Sequence, residues 1–254
     1  MKFFRYIRIA YRMPAALLWT LAVHYFLIRI PQLFSKRKRR LGALKLWGAG
    51  FSWIMGVRIH KKNKRPEPMG DLIISNHMGF LDIPILLASF PAVFVIKVEL
   101  GRIWFFGKRL HEQKHIFVTR EDSGSRSSAG KQLMKVLRDG DRVIVFPEGR
   151  GTPGADRLPF APGSLAVAER LKKRVQPCII DYLPDRKLLE WDVNRGIFSQ
   201  LVDLFGRHRI HVSLEYLPAV PVENAKEDAE KYRVIIEERL KLHDRMRREN
   251  ATAS

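Results

Sequence analysis

Short apolar segments alternate with amphipathic stretches from about residue 65 onward, and this alternation constrains the fold more than any other feature of the chain. The apolar segments have the lengths of buried β-strands and lie at 72–75, 92–96, 116–118, 142–146, 176–183 and 210–216. Stretches with helical character lie at 83–89, 125–138, 163–173 and 225–248. Strands that alternate with helices in this way predict an α/β domain.

The first sixty residues differ from the rest because they contain no Asp or Glu. Residues 13–28 form an uncharged run of 16 residues, and a second apolar stretch covers 41–57 beyond the basic cluster 36–40. Sixteen residues are few for a bilayer span, which needs about 20. A cleavable signal peptide is disfavoured because no small-x-small cleavage site follows the run. We therefore predict a membrane-associated segment of two helices at 1–62 and a catalytic domain at 63–250.

The net charge limits the classes of partner that this chain is expected to bind. The chain has 46 Lys and Arg against 26 Asp and Glu, a formal net charge of +20, which suits an anionic membrane face or a nucleic acid. Nucleic-acid grooves place aromatic residues among the basic ones, whereas here the aromatic residues concentrate in the apolar segments. We therefore expect anionic membrane lipids as a partner and no nucleic acid. The single cysteine, Cys178, excludes an intrachain disulfide.

A histidine and an aspartate follow the first predicted strand of the domain. Asn76 and His77 come directly after 72–75, and Asp82 lies five positions beyond His77. Loops at strand ends often carry the chemistry of α/β proteins. A carboxylate can fix the tautomer of a His ring and leave its second nitrogen to take a proton. Alone, this spacing more often marks a structural hydrogen bond.

The segment Phe-Pro-Glu-Gly-Arg at 146–150 ends another buried strand. It places Glu148, Gly149 and Arg150 on a strand-end loop, where a glycine allows a tight turn and a guanidinium can bind phosphate through two hydrogen bonds. Lys97 and Arg120 end or follow two further strands. These cations suggest a pocket for phosphate or carboxylate at the sheet edge, although an ordinary turn with a surface ion pair explains the segment equally well.

Four blocks occur along the chain in a fixed order: Asn-His-Met-Gly-Phe-Leu-Asp at 76–82, Phe-Val-Thr-Arg at 117–120, Phe-Pro-Glu-Gly at 146–149 and the strand around Pro177. As an ordered set they resemble the blocks of the glycerolipid acyltransferase family, whose type member acylates 1-acylglycerol 3-phosphate. The resemblance covers roughly residues 65–220. It implies the fold of that family, a mixed α/β sheet flanked by helices.

The resemblance also implies roles for these residues. His77 would be the general base that takes a proton from a glycerol hydroxyl, with Asp82 as its orienting partner, and no acyl-enzyme would form. Asn76 would hold the His loop in shape. Glu148 and Gly149 would contact the glycerol phosphate of the acceptor, Arg120 would bind its phosphate, and Lys97 matches the lysine that precedes the second block.

The third block departs from the common pattern Phe-Pro-Glu-Gly-Thr-Arg-Ser. Here Arg150 stands in place of Thr and Gly151 in place of Arg, so the basic group has moved by one position. That shift puts the phosphate contact in question. Lysophosphatidic acid remains the first acceptor to consider. The alternative is lyso-ornithine lipid, whose acyltransferase also departs here, or another lysophospholipid. A catalytically inactive basic membrane-binding protein is the alternative of another class.

The donor implied by the resemblance is an acyl thioester, either acyl-CoA or acyl-ACP, the acylated form of acyl carrier protein. The acceptor is a lysolipid. We expect no further cofactor and no metal, because the His and carboxylate residues show no ligand spacing beyond the dyad. The chain also lacks the G-x-S-x-G elbow of serine hydrolases. We expect the protein at the inner (cytoplasmic) membrane with its catalytic domain facing the cytoplasm.

Overall fold

The computed structural model describes residues 2–30, 37–102, 107–119, 121–183, 186, 189–192 and 194–252. Its N-terminal part is helical. Helix α1 spans Lys2–Ala22 and continues as a π-helical segment at Val23–Arg29, and helix α2 spans Arg37–Ile54. The two predicted N-terminal helices are therefore present, and residues 37–40 of the basic cluster lie at the start of the second. None of the helices described is both long and apolar enough to cross a membrane.

Eight strands of the described chain form one sheet in the order β1-β7-β6-β2-β5-β3-β4, with β8 paired to β6. Strands β6, β2, β5, β3 and β4 run parallel, whereas β7 is antiparallel to β6 and parallel to β1. The prediction of a mixed α/β sheet is therefore confirmed. The strand bounds are β1 Val57–Lys61, β2 Leu72–Ser75, β3 Ala92–Lys97, β4 Ile116–Val118, β5 Arg142–Val145, β6 Arg174–Leu183, β7 Ile210–Tyr216 and β8 Val220–Pro221.

Seven further helices of the described residues follow the strands or connect them. They are α3 Asp82–Ser89, α4 Val98–Gly101, α5 Gly107–Glu112, α6 Ser123–Arg138, α7 Gly163–Arg170, α8 Ile197–Gly206 and α9 Ala225–Thr252. The predicted helices correspond to α3, α6, α7 and α9 within a few residues at each end. Asp122 caps α6 by accepting hydrogen bonds from the N–H groups of Gly124 and Ser125, which is why this helix begins where it does.

The sequence patterns missed α4, α5, α8, β1 and β8. Strand β1 escaped because it lies at the sheet edge, where only Val57 of its five residues is fully buried and the pattern of apolar residues is weak. By contrast, all four residues of β2 are buried, and parallel central strands of this kind appear as continuous apolar runs. The pairing of β1 with β7 also joins residues 57–61 to the sheet of the predicted catalytic domain.

The N-terminal helices pack directly on the domain. Helix α2 lies against α3, and Gly48 makes the close approach possible because a Cβ there would come within 2.6 Å of the Pro84 carbonyl oxygen and 2.7 Å of the Ala88 nitrogen. Helix α1 is fastened to the end of α8 by Arg12, whose buried guanidinium donates hydrogen bonds to the carbonyls of Phe205, Arg207 and His208. Such a cation satisfies carbonyls that the helix end leaves without partners.

The parallel strands bring their carboxyl ends to one edge of the sheet. The loop after β2 carries His77, the loop after β5 carries Glu148 to Thr152, and Lys97 is the last residue of β3. Because β2, β5 and β3 are adjacent in the sheet, these loops are neighbours in space. Ligand sites of open α/β sheets lie at this edge.

Candidate active site

His77 and Asp82 form a hydrogen-bonded pair in the loop between β2 and α3. The Nδ1 atom of His77 lies 2.7 Å from Oδ2 of Asp82. The same oxygen accepts the backbone N–H of Met78 at 2.6 Å and of Gly79 at 2.9 Å. These bonds wrap the loop around the carboxylate, so a spacing of five residues is enough to bring the ring to it. The Asp82 side chain is fully buried, whereas that of His77 is 22% exposed.

The hydrogen bond to Asp82 determines which nitrogen of His77 is free. Nδ1 donates to the carboxylate, so the neutral ring has its acceptor lone pair on Nε2. None of the described residues forms a hydrogen bond with Nε2. The ring stacks on Phe146 with 4.1 Å between centroids and 12° between planes, which holds its tilt. A His held in this way can act as a general base.

The second oxygen of Asp82 is bound by a residue to which the sequence patterns assigned no role. The hydroxyl of Tyr182, on β6, donates to Oδ1 of Asp82. Tyr182 is fully buried, and burial together with the negative charge of Asp82 raises its pKa well above the ordinary value. The hydroxyl is therefore a protonated donor. In the sequence Tyr182 is only the last aromatic residue of an apolar strand, and nothing local links it to position 82.

Asn76 ties the start of this loop to the neighbouring strand. Its side-chain amide donates to the carbonyl of Ile180 at 2.9 Å, and its side-chain oxygen accepts the N–H of the same residue at 3.0 Å. Asn76 is fully buried. The side chain therefore continues the ladder between β2 and β6 by one further step and holds the His77 loop against β6.

Glu148 lies beneath the His77 loop and its carboxylate is surrounded by donors. Oε1 accepts the backbone N–H of His77 at 3.2 Å and a guanidinium N–H of Arg157 at 3.2 Å, while Oε2 faces the N–H of Leu158 at 3.4 Å. The side chains of Glu148 and Arg157 are both 0% exposed. Arg157 also donates to the carbonyls of Thr152, Pro153, Gly154 and Ala155, so it orders the whole turn after the third block. The sequence patterns missed Arg157.

The turn at 149–152 borders the open edge of the His77 ring. Gly149 has φ +80°, a conformation that favours glycine, and the N–H of Thr152 donates to the His77 carbonyl at 2.8 Å. A Cβ on Gly151 would lie 3.3 Å from Cβ of Trp191 and 3.9 Å from Cδ2 of His77. Trp191 in turn donates its backbone N–H to the Met78 carbonyl at 2.7 Å. Trp191, which the sequence patterns did not single out, therefore forms a wall beside the dyad.

Two of the three predicted cationic residues, Lys97 and Arg150, lie at the same edge of the sheet. Arg150 and Lys97 are both exposed, and neither forms an ion pair or hydrogen bond with any residue that the structure describes. Arg120 lies outside the described residues, so its predicted contact with phosphate stays a prediction. Within the described chain no three His, Cys, Asp or Glu side chains are grouped to hold a metal ion.

Comparisons with known proteins agree with this architecture. The sequence model of the family described as Acyltransferase matches residues 56–181. The chain is 29% identical over 163 residues to the 1-acyl-sn-glycerol-3-phosphate acyltransferase of Helicobacter pylori, covering 63% of this chain and 68% of that protein. It is 26% identical over 215 residues to the lyso-ornithine lipid O-acyltransferase of Rhizobium meliloti, covering 78% of this chain and 73% of that protein.

A solved structure shares the fold. The crystal structure of the 1-acyl-sn-glycerophosphate (LPA) acyltransferase PlsC from Thermotoga maritima superposes with a TM-score of 0.63 at 20% identity, over 92% of this chain and 98% of that one. The predicted fold class is thereby confirmed. The family model and the relatives above confirm the resemblance to the glycerolipid acyltransferase family. The chain is an acyltransferase, and the proteins to which it is similar include acyltransferases of 1-acyl-sn-glycerol 3-phosphate and of lyso-ornithine lipid.

Proposed function

We propose that the protein transfers a fatty acyl group from an acyl thioester to the free hydroxyl of a lysolipid, with 1-acylglycerol 3-phosphate as the first acceptor and phosphatidic acid as the product. The observation that carries the proposal is the His77–Asp82 pair, in which Nδ1 is held by a buried carboxylate and the Nε2 edge is open. A lysolipid hydroxyl needs such a base because it is otherwise a weak nucleophile.

The reaction proceeds without an acyl-enzyme. Nε2 of His77 takes the hydroxyl proton as the oxygen attacks the thioester carbonyl. The tetrahedral intermediate then collapses, the carbon–sulfur bond breaks, and the proton passes from His77 to the departing thiolate. Asp82 stabilises the imidazolium between these steps. General-base assistance of this kind is worth about 10²–10⁴-fold in rate. The thioester substrate is acyl-CoA or acyl-ACP, and no further cofactor is required.

In this proposal, Arg150 and Lys97 bind the negatively charged group of the acceptor. Both are exposed and free of partners among the described residues, and they lie at the carboxyl ends of neighbouring parallel strands beside His77. A guanidinium suits the oxygens of a phosphate. Glu148 has a different role in this proposal, because donors of the protein surround its carboxylate. It holds the backbone of His77 and Leu158 in place and acts on the acceptor only through the His77 loop.

Lyso-ornithine lipid is the second candidate acceptor, and Gly151 favours it. The common third block has Arg at this position, whereas here the space is bounded by Trp191, which leaves no room for a side chain without movement. A site whose guanidinium has moved by one position is less committed to the phosphate contact of the common pattern. The lyso-ornithine lipid acyltransferase of Rhizobium meliloti is also among the relatives of this chain.

The protein works at the inner (cytoplasmic) membrane in this proposal, with its catalytic domain on the cytoplasmic side. Large apolar side chains of the N-terminal helices face solvent, among them Phe3, Phe4, Leu18, Phe26 and Trp53. Exposed aromatic and aliphatic residues beside basic ones suit an interfacial anchor on anionic lipid. The anchor brings the dyad to the surface from which a lysolipid is drawn.

Acyl transfer by membranes that carry the wild type, His77→Ala or His208→Ala tests the proposal. Lysophosphatidic acid and lyso-ornithine lipid are offered in parallel with a labelled acyl-CoA and with the same acyl group on acyl carrier protein. His208 is an exposed histidine far from the dyad in the sequence, so His208→Ala controls for loss of a histidine. We expect turnover with one acceptor, lost in His77→Ala and retained in His208→Ala. Full activity of His77→Ala overturns the mechanism, and turnover of neither acceptor favours another lysophospholipid as the acceptor.

A further inference from the structure

The Tyr182–Asp82 hydrogen bond connects the dyad to a strand far away in the sequence. Tyr182 lies 100 positions beyond Asp82, and its hydroxyl is the donor to Oδ1, the oxygen that does not contact His77. Oδ2 is shared by His77 and the N–H groups of Met78 and Gly79. Both oxygens of a completely buried carboxylate are therefore occupied, which is the condition under which such a charge is tolerated.

We propose that Tyr182 is a positioning residue for acyl transfer. Its hydroxyl fixes the plane of the Asp82 carboxylate and draws part of the negative charge to Oδ1, so that Oδ2 keeps the right orientation and charge beside Nδ1 of His77. The inference rests on the proposed role of His77 as general base. Without the hydroxyl, Asp82 would keep its bonds through Oδ2 but lose the one that fixes the rotation of the carboxylate about its Cβ–Cγ bond. The Nδ1 contact would then lose its fixed geometry.

Tyr182 is itself held by the C-terminal helix. A guanidinium N–H of Arg247, on α9, donates to the Tyr182 carbonyl at 2.7 Å and a second one to Oδ2 of the adjacent Asp181 at 3.0 Å. Arg186 and His243 also bond to the Asp181 carboxylate, at 2.8 and 3.0 Å. The end of β6 is thus clamped to α9, and the phenol of Tyr182 reaches Asp82 from a strand that cannot shift along its axis.

Loss of the Tyr182 hydroxyl should change the pH dependence of turnover. Burial and the charge of Asp82 raise the pKa of Tyr182, so its hydroxyl stays protonated and donates throughout the working range. A donated hydrogen bond spreads the negative charge of Asp82 away from His77. When it is lost, the carboxylate stabilises the imidazolium more strongly, and the free base appears only at higher pH. The other charged groups near Tyr182 are Glu190, Asp181 and Arg247, and neither substitution below alters them.

The experiment compares Tyr182→Phe with Tyr216→Phe. Tyr216 is a matched control because it is equally buried, lies on the adjacent strand β7 and donates its hydroxyl to Ser89 at 3.2 Å, away from the dyad. For Tyr182→Phe we expect kcat to fall roughly tenfold to a hundredfold, the range for losing a hydrogen bond to a charged group, with KM nearly unchanged. The acidic limb of its pH–rate profile should move to higher pH. Tyr216→Phe should change neither.

A second variant separates an effect on catalysis from a loss of folding, because it keeps the buried hydroxyl. Placing 3-fluorotyrosine at 182 retains the hydroxyl and makes it a stronger donor, so the acidic limb should move to lower pH. If Tyr182→Phe and the fluorinated protein both match Tyr216→Phe in kcat and pH profile while His77→Ala is inactive, the role of Tyr182 is refuted and the proposed mechanism stands. If His77→Ala is active, the general-base assignment fails, and the role of Tyr182 fails with it.

Discussion

The buried ion pair between Glu148 and Arg157 offers a sharp test of how the turn beside the dyad is held. Substituting Arg157 by Met keeps much of the side-chain volume and removes the guanidinium donors that reach Glu148 and the carbonyls of residues 152–155. Glu148 then keeps only the backbone N–H groups of His77 and Leu158 as donors. Both side chains are 0% exposed, so water cannot replace the lost guanidinium without a structural change. Breaking a buried pair from one side leaves an uncompensated charge and costs about 3–5 kcal/mol of unfolding free energy.

The assay is urea unfolding of the purified protein, with the double variant Glu148→Gln/Arg157→Met completing a cycle. Removing both charges should restore part of the stability, because the penalty comes from the carboxylate left alone. Arg195→Met is the surface control. Its partner Asp203 is 31% exposed, and solvent screens that pair, so the loss should be much smaller. The reasoning is refuted if Arg157→Met costs no more than Arg195→Met, or if adding Glu148→Gln makes the protein less stable still.

Four further predictions concern the acceptor, the wall beside the dyad, acid stability and the membrane. Arg150→Ala and Lys97→Ala should each raise KM for an anionic acceptor with kcat nearly unchanged; a change confined to KM for the acyl donor would contradict their placement. Gly151→Ala should lower kcat, because its Cβ would meet Trp191 at 3.3 Å and crowd the His77 edge, whereas Gly130→Ala, where no atom lies within 4 Å, should not. Burial lowers the pKa of His115 to about 3, so only the unfolded chain takes up its proton as pH falls below about 6.5; the stabilisation is complete above that value, and about 2 kcal/mol is lost by pH 5. Unfolding of His115→Gln at pH 7.5 and pH 5 should show a smaller pH-dependent loss than the wild type, and equal losses would exclude His115 as the cause. The pair Leu18→Ser and Phe26→Ser should each weaken binding to anionic vesicles by roughly tenfold, as expected for a partly inserted apolar side chain, while Leu242→Ser on α9 should leave binding unchanged; unaltered flotation of both N-terminal variants would contradict an anchor at these residues.

Features that depend on neighbours in the sequence were predictable. The strands β2, β5 and β6 are buried along nearly their whole length, so their residues form apolar runs that any reading of periodicity detects. The His77–Asp82 pair is local as well, because one loop of six residues closes on the carboxylate through the N–H groups of Met78 and Gly79. The ordered blocks then distinguished this loop from a chance spacing.

Features that depend on the order of strands were not predictable from the sequence. Nothing in the sequence near Tyr182, Arg157 or Trp191 links them to position 77 or 82, since each reaches the site from another part of the fold. Tyr182 does so because β6 lies next to β2, and Arg157 because the chain folds back under the third block. The edge strand β1 escaped because its exposed positions follow no core pattern.

The sequence and the tertiary structure therefore determine different features, according to whether a feature depends on nearby or on distant residues. The sequence by itself determined the α/β class, the dyad and the cluster of basic strand ends, because period, spacing and residue type act within a few positions. Only the tertiary structure decided which charges face solvent. It left Arg150 and Lys97 exposed at the sheet edge and enclosed Glu148 among donors, since burial depends on contacts between segments that lie far apart in the chain.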